Sequence, residues 1–365
     1  MKIIFFVPHL RVGGAEQVAA LLSSGMISLQ HEVWIAAATL DGKLIAKINP
    51  DCMLVDLSSQ KPIRSRKRLA DLVNRIKPHA VICFGIHTGI AATFSKASWQ
   101  CAPTLIVRNE NNLHLDWQRA TPLNRIIGPP LSRWAAHRSH VVAVSHSLAA
   151  ATADYLRIPA TRVTTILNPV IDDTALQFRR DRDTTPLSRG GSVPTFVAMG
   201  RLEHQKGFDI LIDAFARVAM HRQCRLLIFG EGTLRPTLQA KIDAMNLGGS
   251  VLLAGHTDDP LAQMRTAHAF VLSSRFEGFG LVLVEALFAG THVISTDCDY
   301  GPSDILEQGR YGTLVPVGDA VRLAEAMLAS FDEVDRPARP DDDWFEQFTA
   351  TQAARNHVAL IESLT

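Results

Sequence analysis

The sequence predicts an α/β protein built from two doubly wound domains in tandem. Three observations carry that expectation. Apolar runs of strand length alternate with helical stretches, the pattern of parallel sheets joined by β-α-β crossovers. The alternation breaks at a polar stretch near residue 180 and then restarts, and 365 residues exceed what one hydrophobic core comfortably organises.

In the first half, strands are expected near residues 3–7, 32–38, 80–84, 104–107, 141–144 and 163–166, with helices filling most of the gaps. The stretch from Phe178 to Gly191 is rich in Arg, Asp, Gly and Pro and has no periodicity, so it reads as an interdomain linker. In the second half, strands are expected near 195–199, 226–229, 251–254, 269–272, 292–295 and 313–315. Helices should open near Phe208, Leu234, Leu281 and Asp319. The expected domains are therefore 1–180, a linker at 181–192, and 193–343. Residues 344–365 are expected to form a helix that crosses back to the first domain. Ligands of doubly wound sheets bind beyond the carboxyl ends of the strands, so a cleft between two such domains is the expected site.

Composition is that of a soluble globular protein, with 47% hydrophobic and 20% charged residues, which excludes disorder as the main state. Cys52, Cys83, Cys101, Cys224 and Cys298 are odd in number and never in C-x-x-C spacing, so neither a disulfide framework nor a zinc site is indicated. The apolar start, Met1 to Val7, is too short for a signal h-region and reads as a first buried strand. No segment reaches the roughly 18 to 20 apolar residues of a membrane span. A cytoplasmic location follows as the expectation, with any membrane contact peripheral on the inner face.

The net charge of +1 hides a split. Residues 1–180 hold 21 Lys/Arg against 11 Asp/Glu, and the remainder 16 against 25, so the halves carry +10 and −9. Much of the excess lies in Lys61-Pro62-Ile63-Arg64-Ser65-Arg66-Lys67-Arg68. Such a face suits anionic phospholipid or a phosphorylated acceptor, at about 1 kcal/mol per well-placed cation. A simply solvated surface is the alternative, and nucleic acid is not an expected partner.

Three loops could carry chemistry. In Val7-Pro8-His9-Leu10-Arg11-Val12-Gly13-Gly14-Ala15-Glu16, a strand leads through Gly13 and Gly14 into a helix, whose open N–H groups suit phosphate or carboxylate. A tight turn is the alternative, and the run is not G-x-G-x-x-G. In Met199-Gly200-Arg201-Leu202-Glu203-His204-Gln205-Lys206-Gly207-Phe208, two cations follow a strand end. They suit a diphosphate whose charge grows as a glycosidic bond breaks, unless they are ordinary surface charges. In Ser273-Ser274-Arg275-Phe276-Glu277-Gly278-Phe279-Gly280-Leu281-Val282-Leu283-Val284-Glu285, a glycine-rich loop carries Glu277 and the following helix carries Glu285. Amides around Phe279, Gly280, Leu281 and Val282 suit a phosphate, while each carboxylate can accept two sugar hydroxyls.

The run from Glu277 to Glu285 resembles the E-x7-E motif of the retaining GT-B glycosyltransferases, the family-4-like group that includes bacterial lipopolysaccharide, glycolipid and capsule enzymes. Gly200-Arg201-Leu202 with Lys206-Gly207, Gly13-Gly14-Ala15-Glu16 and Asn168-Pro169-Val170 resemble the same family at matching points, over nearly the whole chain. The resemblance implies two Rossmann-like domains facing across a cleft and a nucleotide-sugar donor. Arg201 and Lys206 would hold the diphosphate, with Glu277 on the donor sugar and Glu285 on the ribose. Gly13 and Gly14 would lie on the donor's far side, with Gly278, Phe279, Gly280 and Leu281 lining its pocket. The implied catalytic set is Arg201, Lys206 and Glu277.

Many members place a histidine after the fourth strand of the first domain. Here that stretch reads Ile106-Val107-Arg108-Asn109-Glu110, so Arg108, Asn109 or Glu110 is expected on the acceptor or sugar side. His87, at another strand end, either faces the acceptor or is satisfied by backbone. Asp297-Cys298-Asp299 is a D-x-D of the kind that holds Mn²⁺ or Mg²⁺ in transferases of another fold. Here a polar loop is the preferred reading, because Arg201 and Lys206 already supply positive charge.

The resemblance implies a retaining reaction in which the acceptor attacks on the face the nucleotide leaves, with no metal and no cofactor. A UDP-hexose or UDP-N-acetylhexosamine donor is expected from the resemblance of Arg108-Asn109 and of the run Cys298 to Asp304. The expected acceptor is a saccharide or a lipid-linked saccharide. A sugar-nucleotide epimerase, a nicotinamide dehydrogenase and a non-catalytic sugar-nucleotide sensor are the rival readings.

Overall fold

A computed structural model describes residues 1–11, 13–180, 193–332 and 337–365. The expected linker, 181–192, lies outside the described residues. By internal contacts the chain divides into unit 1, Met1–Phe178 with Phe345–Thr365, and unit 2, Arg179–Trp344.

Unit 1 contains strands β1 (Lys2–Val7), β2 (Glu32–Ala37), β3 (Met53–Asp56), β4 (Ala80–Phe84), β5 (Thr104–Asn109), β6 (His140–Ala143) and β7 (Val163–Thr165). They form one sheet in the order β3-β2-β1-β4-β5-β6-β7, and every pairing is parallel. The central strands are buried on both faces, which is why β1 and β4 read as unbroken apolar runs rather than alternating ones. On one face, helices Arg66–Ile76, Ile86–Ser95, Leu113–Gln118, Pro122–Ala136 and His146–Leu156 close a core that includes Leu69, Ile90, Trp117 and Leu156. Helix Gly14–Ser28 packs with the C-terminal helix Ala350–Leu364. The approach is close enough that a methyl on Gly25 would lie 2.2 Å from the Ala350 carbonyl oxygen.

Unit 2 contains β8 (Thr195–Met199), β9 (Arg225–Phe229), β10 (Val251–Gly255), β11 (Ala269–Leu272), β12 (Val293–Thr296) and β13 (Thr313–Val315). Their order is β10-β9-β8-β11-β12-β13, again all parallel. Its core gathers Phe196, Phe208, Leu211, Phe215, Leu226, Ile228 and Leu323. The chain enters at Arg179 and leaves near Asp342, and Arg179 Nε donates to Asp342 Oδ1 at 2.7 Å.

The sheet orders explain where ligand loops fall. In each unit the strand order reverses beside the first strand, between β1 and β4 and between β8 and β11. Loops leaving such a pair diverge to opposite faces and open a crevice at the carboxyl edge.

Two sequence expectations differ in detail. The edge strand β3 is absent from them, since Met-Leu-Val-Asp is short, half-buried and polar at its end. The region 344–365 is not one helix: a short helix Asp342–Phe345 and a 3₁₀ turn precede Thr349, which is extended and caps Ala350–Leu364 through its hydroxyl.

Candidate donor site

In unit 2, Lys206 and Glu277 meet at the β8/β11 reversal. Lys206 lies at the end of a 3₁₀ turn after β8, and Glu277 lies in the loop after β11. Lys206 Nζ donates to Glu277 Oε1 at 2.6 Å, with the two side chains only 15% and 7% exposed. The Ser274 hydroxyl donates to the same oxygen at 2.6 Å. The Glu277 amide donates to the Asp299 carbonyl at 3.3 Å, tying the loop to the one after β12.

Backbone shape fixes these positions. Gly200 lets the aliphatic part of Lys206 lie across its α-carbon, where a Cβ would be 2.9 Å from Lys206 Cε. Gly207, at φ +62°, has the Ser273 carbonyl oxygen where a side chain would sit, at 2.1 Å. Ser273 Oγ donates to the Lys206 carbonyl at 2.8 Å, and the Arg275 amide to the Gln205 carbonyl at 2.7 Å. Arg275 also spans both oxygens of Asp209, at 2.9 and 2.7 Å. The two loops are therefore cross-linked before any ligand is considered.

Arg201 differs from Lys206. It is exposed, and its guanidinium has no hydrogen-bond or ion-pair partner among the described residues. Its charge still reaches Glu203, whose carboxyl is held below its ordinary range first by the Thr233 amide and hydroxyl and then by Arg201.

Gly278, Phe279 and Gly280 are buried, and Gly280, at φ +93°, opens helix Leu281–Phe288 with no side-chain cap. The amides of Leu281 and Val282 thus have no acceptor within the helix, whereas the Leu283 amide donates to the Gly280 carbonyl at 2.9 Å. Leu281 and Glu285 are half-exposed and one turn apart on the same face, while Leu283, Val284 and Ala286 to Phe288 are buried. Cys298 lies beneath this loop, its thiol pushed up to about 12 by burial and then by the Glu277 charge. Asp297 and Asp299 are both exposed, and no cluster of three metal-ligating side chains occurs among the described residues.

One element was missed in the sequence. Phe229-Gly230-Glu231-Gly232-Thr233 leaves β9 beside the Gly200 loop: the Leu202 amide donates to the Glu231 carbonyl at 2.9 Å, and a Cβ on Gly230 would be 1.9 Å from the Gly200 carbonyl oxygen. A G-x-G directly after a strand was the available signal.

In unit 1, Gly13 caps helix Gly14–Ser28 from an extended conformation, and the Glu16 carboxylate covers its α-carbon. His9 Nδ1 lies 3.4 Å from Glu16 Oε1, near enough for an ion pair but without hydrogen-bond geometry. His87, in the first turn of helix Ile86–Ser95, is exposed on one side and sets its ring edge against Trp117 at 4.9 Å. Packing on its other sides lowers its pKa.

Arg108 is not at the surface. It is 0% exposed, with Nε donating to Glu110 Oε1 at 2.8 Å and Nη1 2.7 Å from His357 Nε2. Nη2 donates to Asn168 Oδ1, and the guanidinium lies over the Phe84 ring. A buried cation with every face occupied organises its neighbours rather than meeting a substrate. The sequence expectation for Arg108 shifts accordingly: it ties β5, the Asn168 loop and the C-terminal helix together. His357 Nδ1 faces the Ala353 carbonyl at 2.7 Å, which places its hydrogen there and leaves Nε2 to accept from Arg108. Asn109 is also internal and donates to Thr152 Oγ1 at 2.7 Å. Glu110 is the most accessible of the three, yet its side chain is only 9% exposed and its carboxylate is held by Arg108.

Two doubly wound parallel domains, the second with a cation and carboxylate paired at its strand reversal, define an α/β chain of the GT-B class. Comparison gives the family. Residues 180–340 match the model "Glycosyl transferases group 1", and residues 12–174 match "Glycosyltransferase Family 4". The chain belongs to the GT-B glycosyltransferases of the family-4 type.

Its relatives include the lipopolysaccharide core biosynthesis glycosyltransferase LpsE of Rhizobium meliloti, 33% identical over 145 residues, or 40% of this chain and 42% of that one. Another is the Campylobacter jejuni N-acetylgalactosamine-N,N'-diacetylbacillosaminyl-diphospho-undecaprenol 4-alpha-N-acetylgalactosaminyltransferase. It is 36% identical over 137 residues, 38% of this chain and 37% of that one. The matches thus span less than half the length of these curated relatives. Among solved structures, Anabaena HepE in complex with UDP-glucose superposes with a TM-score of 0.79 at 16% identity, covering all of both chains. At that identity the likeness concerns the fold.

Proposed function

We propose that this chain is a retaining glycosyltransferase. It moves a hexose or N-acetylhexosamine from a UDP-sugar to a saccharide or lipid-linked saccharide acceptor in cell-envelope polysaccharide or glycolipid synthesis. The observation that carries the reading is the Lys206–Glu277 pair, which puts a cation and a hydroxyl-accepting carboxylate at one point of a strand reversal. In this reading Arg201 and Lys206 take the diphosphate, the amides opening helix Leu281–Phe288 take its β-phosphate, and Glu277 and Glu285 take sugar and ribose hydroxyls. The cations steady the departing nucleotide without a metal, and a donor phosphate oxygen takes the acceptor proton.

Relatives whose names concern lipopolysaccharide core and an undecaprenol-linked acceptor support the envelope role, and the UDP-glucose complex of a structural neighbour supports the donor class. The basic first domain suits an anionic membrane surface holding a lipid-linked acceptor.

The test is nucleotide release from UDP-, GDP- and ADP-sugars in EDTA, with and without a membrane extract. Release from a UDP-sugar that depends on the extract is expected. Turnover of the sugar without acceptor would make the chain an epimerase, and binding without turnover a sensor. Inhibition by EDTA would overturn the metal-free mechanism and point to Asp297 and Asp299.

A further inference from the structure

Helix Pro122–Ala136 in unit 1 is built inside out. Its buried positions are Gly128, Ser132, Ala135 and Ala136, small residues that let it lie against Trp117. A methyl on Gly128 would be 2.2 Å from the indole, whose N–H donates to Ser132 Oγ at 3.1 Å. In its first two turns the large apolar side chains point outward, whereas Leu131 and Trp134 further along pack against the core. Leu123, Ile126 and Ile127 are 66%, 74% and 40% exposed, at the i, i+3, i+4 spacing that in a globular protein marks the inward stripe. Two turns after Ile127, Trp134 is partly buried against the core and meets Phe94, itself exposed, in a tilted ring contact at 4.5 Å.

The surroundings are basic. Helix Ile86–Ser95, which carries Phe94, packs against this helix and also against segment 62–76, where Arg64, Arg66 and Lys67 are exposed. Between residues 57 and 153 there are 13 Lys/Arg and only three carboxylates, Asp71, Glu110 and Asp116, of which Glu110 is taken by Arg108. An outward apolar stripe near a helix segment with exposed Arg64, Arg66 and Lys67 fits a surface that is anionic outside and apolar beneath.

We propose that this face docks onto a bilayer with anionic headgroups. Leu123, Ile126 and Ile127 enter the acyl boundary, while Arg64, Arg66 and Lys67 lie over the headgroups. The proposal deepens the membrane contact of the reading above and rests on it only for why such a contact is useful.

Co-sedimentation with vesicles of phosphatidylcholine alone, and of phosphatidylcholine with phosphatidylglycerol, tests it on the full chain. The wild type should bind the phosphatidylglycerol vesicles, and high salt should weaken that binding. L123E/I126E should lower partitioning at least tenfold, R64E/K67E should lower it and remove the salt dependence, and M220E, an exposed apolar control in unit 2, should change nothing. Melting curves confirm that each variant is folded. Failure of the wild type to bind, or equal binding by L123E/I126E, overturns the proposal. A dimer seen by light scattering that L123E/I126E dissolves, without vesicle binding, assigns the face to a second copy instead. Nucleotide release from soluble UDP-sugars is read separately, so loss of vesicle binding leaves the enzyme reading standing.

Discussion

Lys206 holds its charge in a nearly closed setting, whereas Arg201 stands exposed without a partner among the described residues. Removing the first strands a buried carboxylate, at a cost of about 3 kcal/mol or more. Removing the second should shift stability by less than about 0.5 kcal/mol. Both changes should abolish UDP release, so K206M and R201A are expected to share an activity defect but differ in denaturant midpoint. Equal midpoints would show that the pair does not form, and retained activity in both would remove the site. His357 supports a second prediction. Its imidazole is fully buried and beside Arg108, which brings its pKa down to about 3 from 6.5. Between those values the unfolded chain takes up a proton that the folded one refuses. The stability this group contributes is complete above pH 6.5 and is lost as pH falls toward 3, by up to about 1.4 kcal/mol per pH unit. H357Q, whose amide oxygen can still accept from Arg108, should flatten the urea-unfolding profile between pH 6 and 4. At this scale Glu277 was legible, because a carboxylate between a strand end and a glycine turn is unusual. Its partnership with Lys206, 71 positions away, was not. Nor was the interior setting of Arg108, since its partners Asn168 and His357 lie 60 and 249 positions away.

At the level of elements, the strands of unit 2 were legible because each is an apolar run ended by polar or glycine residues. The expected helix starts coincide with the caps Gly207, Leu234, Gly280 and Asp319 to within one residue. Asp319 caps through its carboxylate, which accepts from the amides of Val321 and Arg322, a local signal visible in sequence. β3 was not legible because four half-buried residues carry too little pattern. Glycines mark where elements are pressed together. Gly301, at φ +106°, has the Phe279 carbonyl oxygen where a side chain would be, at 1.9 Å. Gly301→Ala should therefore push the 277–280 loop away from the loop after β12. The expected outcome is a loss of about 2 kcal/mol or more of stability and a KM for the donor raised well beyond any change in kcat. A variant with wild-type melting and kinetics would mean that the loop is not held by this contact.

For the whole molecule, the informative feature is that the chain returns to its first unit. Residues from Phe345 onward belong to unit 1, where Val170 and Ile171 amides both donate to the Phe348 carbonyl and helix Ala350–Leu364 buries Ala353, Ala354, His357, Leu360 and Ile361. The return to the first domain was expected from the sequence, but the surface covered, helix Gly14–Ser28, was not, because nothing local in the sequence says which surface an amphipathic helix covers. Burying Leu360 and Ile361 stabilises by about 1.5 to 3 kcal/mol each, and Arg108 would lose one of its three hydrogen-bonding side chains with His357. Together these approach the 5 to 15 kcal/mol that holds a typical domain folded. Deleting residues 345–365 should therefore unfold or strongly destabilise unit 1 while sparing unit 2, whose sheet and core involve none of these residues. Hydrogen exchange resolved by peptide is the measurement. Protection should collapse across β1, β4 and β5 and persist across β8, β9 and β11. Equal loss in both sheets would show that the two units fold as one cooperative body, and unchanged protection in β1 would show that the C-terminal helix is dispensable to the fold.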